Sequence, residues 1–246
     1  MEYGVKVVGG QLVLLSKALL PAIKNDVLNS LLLIQLYADD KADKFGRFRA
    51  WGQCQAEAQV NTKWTHTYTQ TSAHETSAQA ETTLTALATD YLANILGGET
   101  SLPADAVAIA LNAVMHSSSA QTAFVKAVLK ANPVQSSHAV DGTSNIIVQV
   151  CVVEPQASLF SVEINLLVGG DLEGNIFVHP IKGEGLIGAV EVTLSRLEMN
   201  SADYKSVREN VLDMIKKLNA NRTDALKVID LSVPPSVIAE LVALPG

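Results

Sequence analysis

The chain has 246 residues, which is enough for a substantial apolar core. Its formal net charge is −7 and its basic residues are scattered. A nucleic-acid partner is therefore excluded, because phosphate binding requires clustered lysine and arginine. Glu2 and Lys17 interrupt the pattern of a secretory signal, so we expect a cytoplasmic location in the producing cell. Peripheral association with a lipid membrane is left open, and the sequence does not indicate an oligomeric state.

The first half of the chain, up to about residue 133, is predicted to be rich in helices. Apolar residues at helical spacing predict four helices, at residues 27–38, 77–98, 101–116 and 117–133. Between the first two, Trp64, His66 and Tyr68 alternate with polar residues, which predicts a strand with one solvated face. The segment from Phe45 to Ala58 fits either a helix or a strand.

From residue 144 the apolar period changes to two, which predicts strands. Four runs are separated by short turns containing proline or glycine: residues 144–153, 159–168, 174–182 and 188–197. Short connections predict an antiparallel meander over 144–198. Helices follow at 200–246, the first of them amphipathic over 200–218. We therefore predict one α+β domain spanning 1–246, in which helical layers cover both faces of the sheet.

Cys151 lies in the centre of the first predicted strand, and alternation places Ile147, Gln149 and Val153 on the same face. One interpretation is that this thiol is a small buried hydrophobe, because free cysteine is among the most buried residue types. The other is covalent: a thiol facing an apolar pocket could hold a long fatty acyl chain as a thioester. Cys54 is the alternative attachment site, but its neighbours are polar.

Established catalytic motifs are missing from the sequence. No cysteine or histidine pair has metal-ligand spacing, so we expect no metal. The run GEGLIG at 183–188 precedes a strand rather than a helix, which favours a turn over a dinucleotide site. An enzyme is therefore disfavoured but not excluded. If Cys151 formed a thioester intermediate, His179 and His138 would be the candidate general bases.

The order of elements resembles that of the Erwinia virulence factor family and, more distantly, that of the cytolytic delta-endotoxins. The resemblance is carried by LYADDKADKFGRFRAW, by TALATDYLANIL and by the strands from NIIVQVCVV onward. It implies a helix–sheet–helix sandwich and a bacterial role in an insect host. It also implies a buried cysteine that carries a palmitate-like chain, and position matches Cys151 to that residue.

These observations leave three hypotheses for function. The first is a fatty-acylated virulence factor with the lipid on Cys151. The second is a pore-forming or membrane-perturbing toxin, as the endotoxin resemblance implies. The third is an acyl-transfer enzyme that uses a cysteine thioester.

Overall fold

The computed structural model describes residues 3–75, 77–96, 102, 105–132, 142–170, 172 and 176–231. Six helices lie within these residues: α1 (Pro21–Lys41), α2 (Phe48–Asn61), α3 (Leu84–Leu96), α4 (Ala106–Met115), α5 (Ser118–Val128) and α6 (Ser201–Ala220). The strands are β1 (Tyr3–Val8), β2 (Gln11–Ser16), β3 (Trp64–His74), β4 (Glu81–Thr82), β5 (Leu129–Asn132), β6 (Thr143–Val153), β7 (Ser158–Gly169), β8 (Ile181–Lys182), β9 (Val190–Met199) and β10 (Val228–Leu231).

Eight of these strands form one mixed sheet in the order β10-β1-β2-β6-β7-β9-β3, with β5 beside β6. Strands β6, β7, β9 and β3 are antiparallel neighbours, and only the β2–β6 pair is parallel within the described sheet. β5 and β2 share one edge of β6, because β5 pairs with residues 143–146 and β2 with residues 149–153. The short strands β4 and β8 form a separate pair.

Helical layers cover both faces of this sheet, so the chain has the predicted α+β class and layer arrangement. Helices α3, α4 and α5 pack on one face and enclose the larger apolar cluster. Helices α1, α2 and α6 pack on the other, where a second cluster contains Val13, Leu15 and Cys151 from the sheet. Burial of apolar side chains in these two clusters is the main stabilising contribution to the fold.

Helix α6 is fixed at its start and at its middle by polar contacts. Asn200 caps it, because its Oδ1 accepts hydrogen bonds from the backbone nitrogens of Ala202 and Asp203. Farther along, the Arg208 guanidinium donates to both carboxylate oxygens of Asp26 on α1, at 2.8 and 2.6 Å. The Asp26 side chain is only 5% exposed and the Arg208 side chain is 36% exposed, so this bidentate pair joins the two helices at the edge of their interface.

The structure corrects the predicted elements in several places. The helix predicted at 117–133 gives way to β5 at Leu129, and the helix predicted at 77–98 begins at Leu84, after β4. Residues 3–16, read as part of a helical half, form the β1–β2 hairpin. The predicted strand at 174–182 is reduced to Ile181–Lys182, which pairs with β4, so the meander has three strands rather than four. After α6 comes β10 rather than a second helix, and residues 232–246 lie outside the described residues.

Burial explains why β2 was not predicted as a strand. The segment from Phe45 to Ala58, which fits either a helix or a strand, lies mostly in α2. Every residue of β2 is buried, so its apolar run has no alternation and cannot be distinguished from a buried helix by period. In α2 the buried residues Trp51, Gln55 and Ala58 recur at helical spacing. The weakly amphipathic pattern of this segment does not distinguish a helix from a strand.

We expect the Arg208→Ala substitution to destabilise the fold more than Asp26→Ala. The first leaves a carboxylate buried without its partner, whereas the second leaves an arginine that is 36% exposed and can be hydrated. Chemical denaturation would measure both. Lys216→Ala on the same helix is the control, because its pair with Asp213 is exposed on both sides and should contribute little. Equal losses for all three variants would contradict this account of the interface.

Candidate functional site

Cys151 lies at the centre of the sheet and is completely buried. It is paired with Ser161 on β7 and with Val13 on β2. Its side chain belongs to the cluster under α1 and α6. Burial raises the pKa of the thiol strongly, and the nearby Glu163 carboxylate raises it further. The sulfur is therefore a protonated thiol at neutral pH and a poor nucleophile.

The three residues predicted to share its face follow the expected alternation, but they do not form one apolar surface. Ile147 and Val153 are both buried. Gln149 instead receives a hydrogen bond from the side-chain nitrogen of Gln11, at 2.9 Å. Three clefts lie near the β1–β2 turn, between α1, α2 and α6, and between α3, β3 and β9. Cys151 lines none of these three. S-acylation at this position stays a prediction.

The alternative attachment site, Cys54, lies on α2 and is half-buried. It packs at the edge of a small cluster formed by Ala38, Ala42 and Trp51. The pKa of the nearby Tyr37 is raised, mainly by its hydrogen bond with Glu57, and Cys54 raises it further. This environment is more polar than that of Cys151, as the sequence predicted.

The histidines considered as general bases do not support the acyl-transfer hypothesis. His138 lies outside the described residues. His179 is half-buried and lies between Phe177 and Ile181, and both of these pack in the α3–α5 layer. Cys151 faces the opposite layer. The sheet therefore separates the sulfur from the neighbours of His179.

A polar row that the sequence analysis missed crosses the face covered by α1, α2 and α6. At one level of the sheet, Gln11 is paired with Gln149, Gln149 with Glu163, and Glu163 with Thr193. Lys44, which follows α1, is 8% exposed and reaches this level. Its ammonium donates to the backbone oxygens of Ala127 and Ile147, both at 3.0 Å. The row is thus a polar strip on the sheet face under α1, α2 and α6, in which Gln11 is buried and Gln149, Glu163 and Thr193 are half-buried.

The surroundings of Lys44 and Glu163 disfavour the charged form of each side chain. Burial lowers the pKa of Lys44, and burial raises that of Glu163 to about 7, while the attraction between the two groups opposes each shift. The ring of Trp51 lies 5.2 Å from the ammonium and compensates part of its desolvation. In the sequence, a glutamate within the apolar run LFSVEINLLV indicates a polar group on a core strand, whereas no local pattern indicates that Lys44 is buried.

The strands β6, β7 and β9 have two chemically different faces. Their even-numbered residues are apolar over most of their length and pack under α3, α4 and α5: Ile146, Val148, Val150, Val152, Phe160, Val162, Ile164, Leu166, Val168, Val190, Val192 and Leu194. Their odd-numbered residues include nine polar side chains: Thr143, Asn145, Gln149, Ser161, Glu163, Asn165, Glu191, Thr193 and Ser195. One end of this second face is apolar, around Cys151, Val153, Leu159 and Leu197.

Comparison with known proteins gives similarity in backbone arrangement alone. No protein-family model matches the chain, and no curated protein matches it. Solved structures that match include a delta-endotoxin, with 8% identity and a TM-score of 0.42 over 78% of this chain and 84% of that chain. Another is the activated Cyt2Ba monomer from Bacillus thuringiensis subsp. israelensis, with 7% identity and a TM-score of 0.43 over 78% of this chain and 98% of that chain.

Cytolytic delta-endotoxins are thus distant structural neighbours, and no statement about function follows from similarity at that level. The resemblance to the Erwinia virulence factor family stays a prediction. Among the described residues, no helix combines the length and the apolar character needed to cross a bilayer. The same residues contain no group of three or more candidate metal ligands.

Glu163 should make the stability of the fold depend on pH. Its pKa is raised from 4.5 to about 7, so its contribution is complete below pH 4.5 and is lost as the pH rises to about 7. Glu163→Gln should abolish this decline, which we expect to be on the order of 1–3 kcal/mol in the wild type. Denaturant unfolding between pH 4.5 and 7 would measure it.

The control for this experiment is Glu198→Gln, at a side chain on β9 that is 53% exposed. This variant should follow the pH dependence of the wild type. A Glu163→Gln curve parallel to that of the wild type would show that the carboxyl group is hydrated in the folded chain.

Proposed function

We propose that this protein perturbs lipid bilayers by inserting the strands β6, β7 and β9. The observation that carries the proposal is the contrast between the two faces of these strands. Each strand presents apolar residues to α3–α5 and polar residues to the other layer. An apolar face toward lipid and a polar face toward water is the pattern of membrane-inserted β-strands.

The lengths of the strands fit this role. β6, β7 and β9 have 11, 12 and 10 residues. A tilted strand needs about 9–11 residues to cross the hydrocarbon core of a bilayer. The three strands are joined by antiparallel pairing, so their shared backbone hydrogen bonds would remain satisfied in lipid.

The polar face is unusual for strands that have helices on both sides. Strands buried on both faces are typically apolar throughout. Here Ser161 is buried while Gln149 and Glu163 are half-buried, and the burial of such groups costs free energy unless each is hydrogen-bonded. The same side chains would be hydrated if this face lined an aqueous defect in a bilayer. In the folded chain this face is already partly accessible to water, since Gln149, Glu163, Asn165, Glu191 and Thr193 are half-buried.

Insertion requires the α3–α5 layer to separate from the sheet. Apolar packing accounts for most of the contact between this layer and the strands. A polar connection also exists, since the backbone nitrogen and the hydroxyl of Thr85 both donate to the Phe177 carbonyl, at 3.1 and 2.8 Å. Contact with lipid could replace the apolar packing, because both environments exclude water from the same side chains.

We expect the double substitution Val162→Thr/Val192→Thr to reduce dye release from phosphatidylcholine vesicles by about tenfold or more. Each change replaces a methyl group by a hydroxyl of similar size, and a hydroxyl costs more in hydrocarbon, where nothing can hydrogen-bond to it, than in a protein interior, by roughly 1–2 kcal/mol for the pair. Both valines are fully buried on the apolar face. The rate of release by purified protein, at matched vesicle concentrations, measures the effect.

The matched control is Val7→Thr on β1. Val7 is 1% exposed and contributes to the same apolar cluster, but it lies outside the three strands. It should reduce fold stability without reducing release. Thermal unfolding followed by circular dichroism would establish that all variants fold. No release by the wild type, or equal losses in the control and the double variant, would contradict the proposal.

We also propose, as a second function, that Cys151 carries a long-chain fatty acyl group. Its complete burial in an apolar cluster supports this, because such a site would shield a thioester from water. A single acyl chain gives only marginal membrane binding, so its main contribution would be to the core. The role in an insect host that the sequence resemblance implies belongs to this same proposal.

Intact-mass spectrometry before and after neutral hydroxylamine tests the acylation. The expected result is a fatty-acyl mass increment that hydroxylamine removes, that Cys151→Ser lacks and that Cys54→Ser retains. An unmodified wild-type mass, from protein produced in its native host, would show that Cys151 is a packing residue. An increment lost only in Cys54→Ser would move the attachment site to α2.

A further inference from the structure

A large cleft opens away from the membrane-active strands, and nothing above assigns a role to it. Its volume is about 950 Å³. It lies where the β1–β2 turn, the α1–α2 connection, α5 and the α6–β10 connection meet. Its lining includes no residue of β6, β7 or β9. The cleft is distinct from these three strands, although α5, which lines it, belongs to the helical layer that the proposed insertion displaces.

Gln35 is a buried residue of α1 that lines this cleft with an unsatisfied acceptor. It is 2% exposed. Its side-chain nitrogen donates to Asp39 at 2.9 Å, which fixes the orientation of the amide. Its Oε1 has no hydrogen-bond partner among the described residues. A buried acceptor of this kind usually has a partner, and a ligand hydroxyl or N–H would supply one.

Asp39 holds the polar side of the cleft in place. One carboxylate oxygen accepts from both Gln35 and the indole nitrogen of Trp51, the latter at 2.9 Å. The other oxygen accepts from Arg222 at 3.4 Å. The Asp39 side chain is 19% exposed, so a carboxylate oxygen remains within reach of a ligand. These three hydrogen bonds fix the orientation of the Asp39 carboxylate in the absence of a ligand.

The β1–β2 turn is shaped to approach these groups. Gly9 has a φ of +57°, and a Cβ at this position would lie 2.9 Å from the Gln35 side chain. At Gly10 a Cβ would lie 2.9 Å from the Lys44 ammonium. The glycine pair therefore brings the turn close to the floor of the cleft without filling it.

Charges in the cleft are largely balanced by one another. Arg222 is paired with Asp39, and Lys126 with Asp224. The Lys44 ammonium is occupied by two backbone carbonyls. At these cations an anion would have to compete with carboxylates or carbonyl oxygens, and the exposed Lys227, which also lines the cleft, can be hydrated, so the lining favours a neutral ligand with both donors and acceptors.

We propose that this cleft binds a neutral saccharide. Sugar hydroxyls donate and accept hydrogen bonds, which matches Gln35, Asp39 and the hydroxyls of Ser118 and Ser119 at the start of α5. The half-buried ring of Phe45 also lines the cleft, and the ammonium groups of Lys44 and Lys130 lie 5.6 and 6.0 Å from its centroid, so a sugar would contact this ring beside the two cations. The volume is at the upper end of small-ligand sites and would accommodate more than one sugar unit.

Isothermal titration calorimetry with chitotriose, maltotriose and N-acetyllactosamine tests the proposal on the full-length protein. At least one of these probes should bind. Gln35→Met should weaken that binding about tenfold, because it removes the unsatisfied acceptor. Ala123→Trp, at an exposed position of the lining on α5, should abolish binding by filling the cleft. Ala202→Trp, at an exposed position on α6, is the matched control and should have no effect.

Three results would overturn the proposal. The first is that none of the three saccharides binds the wild type. The second is saccharide binding that Ala123→Trp leaves unchanged, which would place it elsewhere. The third is binding of inorganic phosphate or phosphocholine, but not of the sugars, in a manner blocked by Ala123→Trp. The vesicle dye-release assay with Ala123→Trp separates this site from membrane insertion, because release should be unchanged.

Discussion

The fold depends on a constraint in its central sheet: strands with one apolar and one polar-bearing face are covered by helices on both sides. Toward α3–α5 the strands present an apolar surface that packs without polar atoms over most of its length. Toward α1, α2 and α6 the structure must accommodate Gln149, Glu163 and their neighbours. The first face supplies hydrophobic stabilisation, and the second requires specific polar partners.

The partners on the polar side come from parts of the chain that are distant in sequence. Lys44 follows α1 and reaches the level of Glu163 while donating to two backbone carbonyls. Asp26 and Arg208 join α1 to α6 on the same side of the sheet. These directional polar contacts fix the positions of α1 and α6, whereas α3, α4 and α5 are held to the sheet mainly by apolar packing. An asymmetry of this kind lets one helical layer separate while the other remains in place.

Sequence alone was sufficient for the strands that carry the proposed function. Period-two alternation predicted β6, β7 and β9 and the shared face of Ile147, Cys151 and Val153. It failed for β2, because a strand buried on both faces loses the alternation that identifies it, and for β1, which is too short to show a clear period. It also overestimated the strand near Ile181, where an apolar run contains Pro180 and pairs over only two residues.

The polar sites were largely invisible to the sequence for a physical reason. Gln35, Asp39 and Arg222 come together only because α1 and the segment after α6 meet in three dimensions. The separation between Asp39 and Arg222 is 183 residues, and no local pattern encodes such a contact. The thiol of Cys151 was located correctly in a buried strand, but the polar partners of Gln149 could not be inferred from its neighbours in the chain.

Amide hydrogen exchange on vesicle-bound protein tests the central claim most directly. The account predicts that amides of α3, α4 and α5 lose protection when the protein binds phosphatidylcholine vesicles. Those in the centres of β6, β7 and β9 should remain protected, because their hydrogen bonds persist in the bilayer. Protection of all three helices that is unchanged between the free and the vesicle-bound protein would contradict the separation of the layers and the insertion that depends on it.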